Sequence, residues 1–417
     1  MIILKNARIT AGTSLKHTDI LIINDRIFEI GDNINHAHAT IYDLDGALVI
    51  PGAIDVHTHL REPGFTHKET IKSGTAAAAR GGVTSIMSMP NLSPVTDSVD
   101  ELNSLKRIID RDALVNVYPY AALTKNQKGE IPSDIEGLAP LVKAFSDDGV
   151  CVNSEKLLLE CMIRVKKANS IIASHAEFLG AVNSRDAEVL AVERELRVVE
   201  QTKCPYHFCH ISTSDAFDMI RKARMKGLNV TCEVTPHHLI LNESDNKCNT
   251  NFKMNPPLRS KADYIATREA LLDLTASIIA TDHAPHSKQE KALEYSVAPN
   301  GIIGLETFIP LIYTEFVKTG LITFERMIEC ITYNPARRFN LEFSQLKKKS
   351  KADLAVIAID EEKEFKEDEI VSLSKNSPFI GRRLYGNNIL TLVGGIVKYK
   401  DQRFSKNQEN INKGENK

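Results

Sequence analysis

Histidine is the residue to start from. The chain has 13 of them, several in tight local clusters, and imidazole serves both proton transfer near neutral pH and metal ligation. His57 and His59 stand two apart in DVHTHLREPG. In an extended strand, residues i and i+2 point to the same side, so the two rings form half of a metal site. An H-x-H alone is weak evidence. It gains weight from His175 in IIASHAE, His210 in YHFCHIS, Asp282 in IIATDHAPH and Asp147–Asp148 in AFSDDG, each closing an apolar run. Apolar strands that end in polar groups are costly unless those groups are paired, and a metal pairs them all at once. Neutral imidazole with carboxylate suits Zn2+ or a similar divalent ion. Four histidines and an aspartate exceed one four-coordinate ion. Asp148 could bridge two ions through its two oxygens, so the count favours two Zn2+ per subunit with a shared water or hydroxide. Such ions bring the pKa of a bound water down to about 7. Asp282 would then be catalytic as well as ligating, moving the proton from that water to a leaving group.

These residues need a frame that gathers strand ends. Apolar, strand-like runs come at 47–56, 83–89, 114–120, 142–146, 170–174, 206–209, 229–234 and 277–281. Helix-like stretches at 68–82, 154–169, 186–202, 213–227 and 260–274 lie between them, with Ser154, Thr213 and Ser260 as N-caps and Gly227 as a stop. Two further helices are expected at 304–320 and 323–334. Serial strand-helix units predict a (β/α)8 barrel of TIM type, whose functional residues collect on one rim just after the strands. The candidate residues obey that rule. Both chain ends have another texture. Residues 1–50 and 345–400 are rich in β-branched residues punctuated by Gly, Asn and Asp. The expectation is therefore an α/β protein with a barrel over 51–344, a small β-sandwich domain from 1–50 plus 345–400, and a disordered tail over 401–417.

Composition sets the outer limits. The 417 residues are 42% hydrophobic and 25% charged, with 52 Lys+Arg against 54 Asp+Glu. That balance excludes a collagen-like, largely disordered or nucleic-acid-coating chain. The basic run Lys347–Lys349 with Lys351 reads as a solvated loop, so no nucleic-acid partner is expected. No stretch reaches the roughly 18 apolar residues of a membrane span, and the start lacks the pattern of a secretory signal. The seven cysteines form no C-x-x-C pair. A reduced, cytoplasmic protein without a disulfide framework is expected.

The motifs HTHLREPGFTHKETIKSGTAAAARGGVTSIMSMPN (57–91), FSDDG, HIST, TPHHL, KMNPPLR and ATDHAPH together resemble those of the dihydroorotases, in the cyclic-amidohydrolase superfamily. The likeness runs over most of residues 1–400. It implies reversible hydrolysis of the ring amide of dihydroorotate to N-carbamoyl-L-aspartate, in pyrimidine synthesis. It implies that His57, His59 and Asp282 bind one zinc and His175 and His210 the other. The family pattern selects Asp148 over Asp147 as the bridge. Substrate contacts are implied for His59, Arg61, Asn91, Asn255, His286, Asn300 and Gly301. The Arg61 fork suits a carboxylate. The resemblance also leans towards a homodimer, with association with aspartate transcarbamoylase a further possibility.

The chain departs from the pattern in three places. The stretch between His175 and His210 is short, Asn300 stands where an aromatic residue is expected before Gly301, and SHAE after strand five is a variant. Other polar residues read as supports. His207 faces away from His210, and His283 backs Asp282. Of the adjacent His237 and His238, one supports the site and the other packs. His17, His36, His38 and His67 read as surface or packing residues, and Lys68 with Glu69 as a solvated ion pair. The alternative functions are another cyclic amidohydrolase (a dihydropyrimidinase or an allantoinase) and a non-catalytic scaffold for aspartate transcarbamoylase.

Overall fold

The computed structural model describes residues 1–11, 14–178 and 184–404. Strands from the two chain ends share one eight-stranded sheet. Ile2–Ala11 lies beside Ser14–Ile23 on one side and Leu48–Pro51 on the other, and Thr40–Asp43 also pairs with it. The ends of the chain meet where Leu354–Ala358 runs antiparallel to Leu48–Pro51, with Leu354 opposite Pro51 and Ile357 opposite Leu48. Asn387–Val393 and Ile396–Lys400 complete that side. Leu4, Ile20, Ile22, Val49, Val356 and Leu392 fill its core. Of the tail expected to be disordered, 405–417 lie outside the described residues. Within 401–404, Phe404 is buried with its ring edge-on to Tyr42.

The apolar run at 47–56 divides at Gly52. Leu48–Pro51 joins the end sheet, and Ala53–Thr58 starts the barrel. Parallel pairing then continues through Val83–Ser88 and Asn116–Pro119, and again from Ile172–Ser174 through Tyr206–Phe208 and Val230–Val234 to Ala276–Ile279. The run at 142–146 was expected to be a strand of its own. It holds its place by single pairings of Phe145 with Ala121 and Ile172. The reason is the acidic turn that follows at once. The Asp147 carboxylate accepts the Leu123 and Thr124 N–H groups, which a longer ladder would have used. Pairing of Thr58 with His283 closes the ring.

Helices Ile71–Arg80, Val99–Asp112, Glu155–Lys167, Arg185–Thr202, Ser214–Met225 and Lys261–Leu272 pack around these strands. Ser154 and Ser260 cap their helices through their hydroxyls. Thr213 occupies the N-cap position but gives its hydroxyl to the buried Glu188 instead. The helix expected over 304–320 is broken into a tight turn, Leu305–Thr307, an α turn, Phe308–Ile312, and a wide turn, Tyr313–Val317. Inside the ring, Ile54, Val56, Met87, Tyr120 and Ile278 pack against Phe339. The Tyr120 hydroxyl donates to the Val56 carbonyl at 2.9 Å. The barrel is therefore a packed core with its polar residues displaced to one mouth.

Candidate active site

His57 is the penultimate residue of Ala53–Thr58, and His59 follows the strand with its N–H on the His283 carbonyl, so ring closure of the barrel itself fixes that strand end. His175 follows Ile172–Ser174, His210 follows Tyr206–Phe208, and Asp282 follows Ala276–Ile279. All are buried, as is Asp148. His59 Nε2 lies 3.1 Å from Asp282 Oδ1 and 3.5 Å from Asp148 Oδ2. His57 Nε2 lies 3.3 Å from Asp148 Oδ1 and 3.5 Å from Asp282 Oδ1. On the other side His175 Nδ1 and His210 Nε2 face each other at 2.9 Å, each 3.8 Å from Asp148 Oδ1. The six residues thus converge, with Asp148 between two groups. His210 and Asp282 hold left-handed backbone, at φ +31° and +49°, as does Arg61 at +60°. Such conformations cost about 1–3 kcal/mol each and persist where the surroundings impose them.

Hydrogen bonds on the outer side of the rings set their tautomers. His57 Nδ1 donates to Glu233 Oε1 at 2.7 Å, His59 Nδ1 to Asn91 Oδ1 at 2.9 Å, and His175 Nε2 to Glu177 Oε2 at 3.1 Å. The inner nitrogens of His57 and His59 are then lone pairs facing carboxylates, and that of His175 is a lone pair facing His210 Nε2. His57 Nε2 and Asp148 Oδ1 have no hydrogen bond among the described residues. This donor set repels itself unless a cation lies within it, so the residues fit divalent metal ions. Burial alone would raise the Asp148 and Asp282 carboxyls, but the histidines, His57 foremost, hold both well below the usual carboxylate range. Burial would lower His57, yet Asp148 and Asp282 push it above its ordinary value. A proton there answers the same negative field that a metal would answer. A further buried group, His57 with Cys209 and Glu233, also brings its donor atoms close together.

Beside this cluster lies a cationic rim. Arg61 Nε donates to the Pro285 carbonyl at 3.2 Å, and its Nη2 lies 3.4 Å from His286 Nε2. Burial brings Arg61 down to about 10, so it stays charged at neutral pH. His286 Nε2 donates to the Asn300 carbonyl at 2.8 Å. Burial, together with Arg61 and Lys68, lowers His286 to about 3, so it is neutral. Asn255 Nδ2 donates to Glu177 Oε2 at 3.0 Å, close to His175. The Gly301 N–H is given to the Lys253 carbonyl, and the Gly301 carbonyl accepts from Lys291 and Asn376. Gly301 therefore shapes the rim with both backbone groups already engaged. A Cβ on it would lie 2.7 Å from the Ala284 Cβ.

A family model of dihydro-orotase-like proteins matches residues 46–187. A dihydroorotase of Staphylococcus epidermidis is 43% identical over 425 residues, spanning 97% of this chain and all of that protein. One of Staphylococcus aureus is 42% identical over 427 residues with the same coverage. The chain belongs to the dihydroorotase family. Among solved structures it is similar to the L-hydantoinase (dihydropyrimidinase) of Arthrobacter aurescens, at 25% identity and TM-score 0.86, covering 96% of both chains. A D-hydantoinase (dihydropyrimidinase) of Thermus sp., at 20% identity and TM-score 0.85 over 96% of both chains, shares the fold.

Several residues of this dihydroorotase-family site escape a reading by motif. Glu233 sits mid-strand in VTCEV, between His57 and His207 Nε2 at 2.9 Å, and accepts the His210 N–H. A carboxylate buried in an apolar strand was its only signal. Glu177 carries His175 and Asn255 together. Lys68 and Glu69 do not form the solvated pair expected. Glu69 is buried against His283, the Ser372 hydroxyl and the Leu373 N–H, while Lys68 reaches Glu290 at 3.0 Å and His286 at 3.4 Å. The adjacent types suggested an exposed pair, but neighbours on a helix entry point apart. His238 Nε2 donates to the Pro256 carbonyl and so fixes the Asn255 loop. His237 is buried near Asp282, and burial lowers it to about 4. The shortened stretch after His175 includes 179–183, which lie outside the described residues.

Proposed function

We propose that this protein interconverts dihydroorotate and N-carbamoyl-L-aspartate, the ring-amide step of pyrimidine synthesis. The observation that carries the reading is the convergence of six ligand residues beside a half-buried cationic rim, in a chain 43% identical to a dihydroorotase over 97% of its length. His57, His59 and Asp282 would hold one divalent ion, His175 and His210 a second, and Asp148 would join them. Bound there, zinc ions would supply a water of pKa about 7 and polarise the ring carbonyl.

The remaining work falls to side chains. Asp282 is anionic at neutral pH, so it can take the proton of the attacking water. That oxygen bonds to the ring carbonyl carbon, the carbon–nitrogen bond breaks, and Asp282 passes its proton to the departing nitrogen. In reverse it protonates the departing hydroxyl. Arg61, with Asn91, Asn255 and His286, receives the substrate carboxylate and orients the ring, and Asn300 and Gly301 shape the wall beside it. A neutral His286 next to Arg61 leaves the fork free to bind an anion. The barrel over 51–344 does this chemistry, and the β-domain from 1–50 plus 345–400 braces it.

The hydantoinase-like fold raises a second reading, an enzyme for uncharged cyclic amides. A charged Arg61 argues against it, because its side chain bonds only the Pro285 carbonyl and the neutral His286, and an uncharged ring would bring it no anion. A scaffold role gives no reason for all six ligand residues to be retained. Steady-state turnover of dihydroorotate, hydantoin and allantoin by the purified protein decides. Dihydroorotate should be by far the best substrate, and faster hydrolysis of the uncharged rings would overturn the assignment.

A further inference from the structure

Residues 370–377 form a strap from the C-terminal part of the chain across the barrel mouth. The Val371 and Ser372 N–H groups donate to Glu306 at 2.9 and 3.0 Å. The Leu373 N–H donates to Glu69, and the Ser374 hydroxyl to the Lys68 carbonyl at 2.6 Å. The strap ends at Asn376, 3% exposed. Every polar atom of the Asn376 side chain is used on the rim. Its Oδ1 accepts the His286 N–H at 3.2 Å, and its Nδ2 donates to the Ala284 carbonyl at 3.2 Å and the Gly301 carbonyl at 3.0 Å. Its own carbonyl accepts the Ile303 N–H at 3.0 Å. One planar amide thus joins the loop that carries His286 to the loop that carries Asn300 and Gly301.

We infer that Asn376 is a positioning residue that sets the spacing of the substrate-carboxylate pocket; this rests on the functional reading above. Asn376 fixes where His286 stands relative to Asn300 and Gly301, and through His286 it fixes the face presented to Arg61. It acts on binding and leaves the chemical step alone, because Asp282 is held separately. The Thr281 N–H and hydroxyl both go to the buried Asp55, and the Asp282 side chain lies against His59. Only an amide of this length offers one acceptor and two donors in a plane. Asp at the same position keeps the acceptor but loses both donors, and places its charge against two carbonyls.

Asn376→Ala, Asn376→Asp and Ser374→Ala are compared with wild type in dihydroorotate turnover, zinc content and thermal denaturation. The first two should raise KM about tenfold or more, from lost hydrogen bonds that preorganise the rim, with kcat within about threefold and zinc content unchanged. Ser374→Ala loosens the same strap without touching His286 or Gly301, and should lower Tm with KM unchanged. Asn376→Ala buries no charge, so it is the milder change and decides if Asn376→Asp does not fold. A KM within twofold of wild type in folded Asn376→Ala would overturn the inference. So would a loss confined to kcat, or an equal rise in KM in Ser374→Ala. Failure of wild type to turn over dihydroorotate would strike the functional reading instead. The same KM ratio, measured on whichever cyclic amide it does hydrolyse, would still test Asn376.

Discussion

The ligand cluster and the rim beside it are built in different ways. In the cluster, the side chains leave strand ends or, for Asp148, the turn after Phe145, and three of the rings are braced by a group immediately behind them: Glu233 for His57, Asn91 for His59, Glu177 for His175. In the rim, residues sit on loops and are held by segments distant in sequence. Asn376 holds His286 and Gly301, Lys291 holds the Pro299 and Gly301 carbonyls, and His238 holds the Asn255 loop. The cluster is fixed by the barrel, whose strand ends must converge once the ring closes. The rim is fixed by cross-bracing, which costs little to retune. On the proposed reading, chemistry is kept on the rigid part and substrate choice on the adjustable part.

If that division holds, damage to the cluster should fall on turnover and metal, and damage to the rim on affinity. The largest effect is expected from Asp282→Asn, which removes a ligand and the proton carrier together. Its kcat should fall by about 10²–10⁴. Near-normal turnover would break the comparison at its strongest point. Glu233→Gln removes the charge behind His57 and His207, where those histidines hold the carboxyl down to about 2 against the effect of burial. Zinc affinity, measured by competition with a chelator, should weaken about 10–100-fold. Arg61→Ala should raise KM by about tenfold or more with zinc content unchanged, as loss of a charge-assisted hydrogen bond implies. An unchanged KM would show that the rim does not read the carboxylate.

A smaller effect concerns pH. The folded-state pKa of His286 is about 3, below the ordinary 6.5, because burial and then Arg61 and Lys68 disfavour its charge. Between those values the unfolded chain binds the extra proton, so the contribution to stability is complete above about 6.5 and is lost as pH falls towards 3. Denaturant titrations at pH 7 and pH 5 should show wild type losing more stability on acidification than His286→Gln. Equal losses would place the ring in water rather than in the cationic wall.

The same contrast explains what the sequence discloses. The cluster was legible because apolar runs ending in His or Asp are chemically conspicuous, and because strand ends of a barrel share a rim. The alternation of strands and helices was legible for the same periodic reasons. Phe145 was read as part of a full strand because nothing local shows that Asp147 intercepts the neighbouring N–H groups. Glu69 looked like half of an exposed pair, since its partners Ser372 and Leu373 lie some 300 positions away. Asn376 in KNSPF had no local signal, as its partners come together only when the strap crosses the barrel mouth.

The proposed chemistry needs two cations held by His57, His59, Asp148, His175, His210 and Asp282. The most direct test is elemental analysis of the purified protein, with dihydroorotate turnover measured before chelation, after it, and after zinc is restored. About two ions per chain should be present, with activity lost on their removal and regained on their return. Full turnover by protein shown to be metal-free would contradict it.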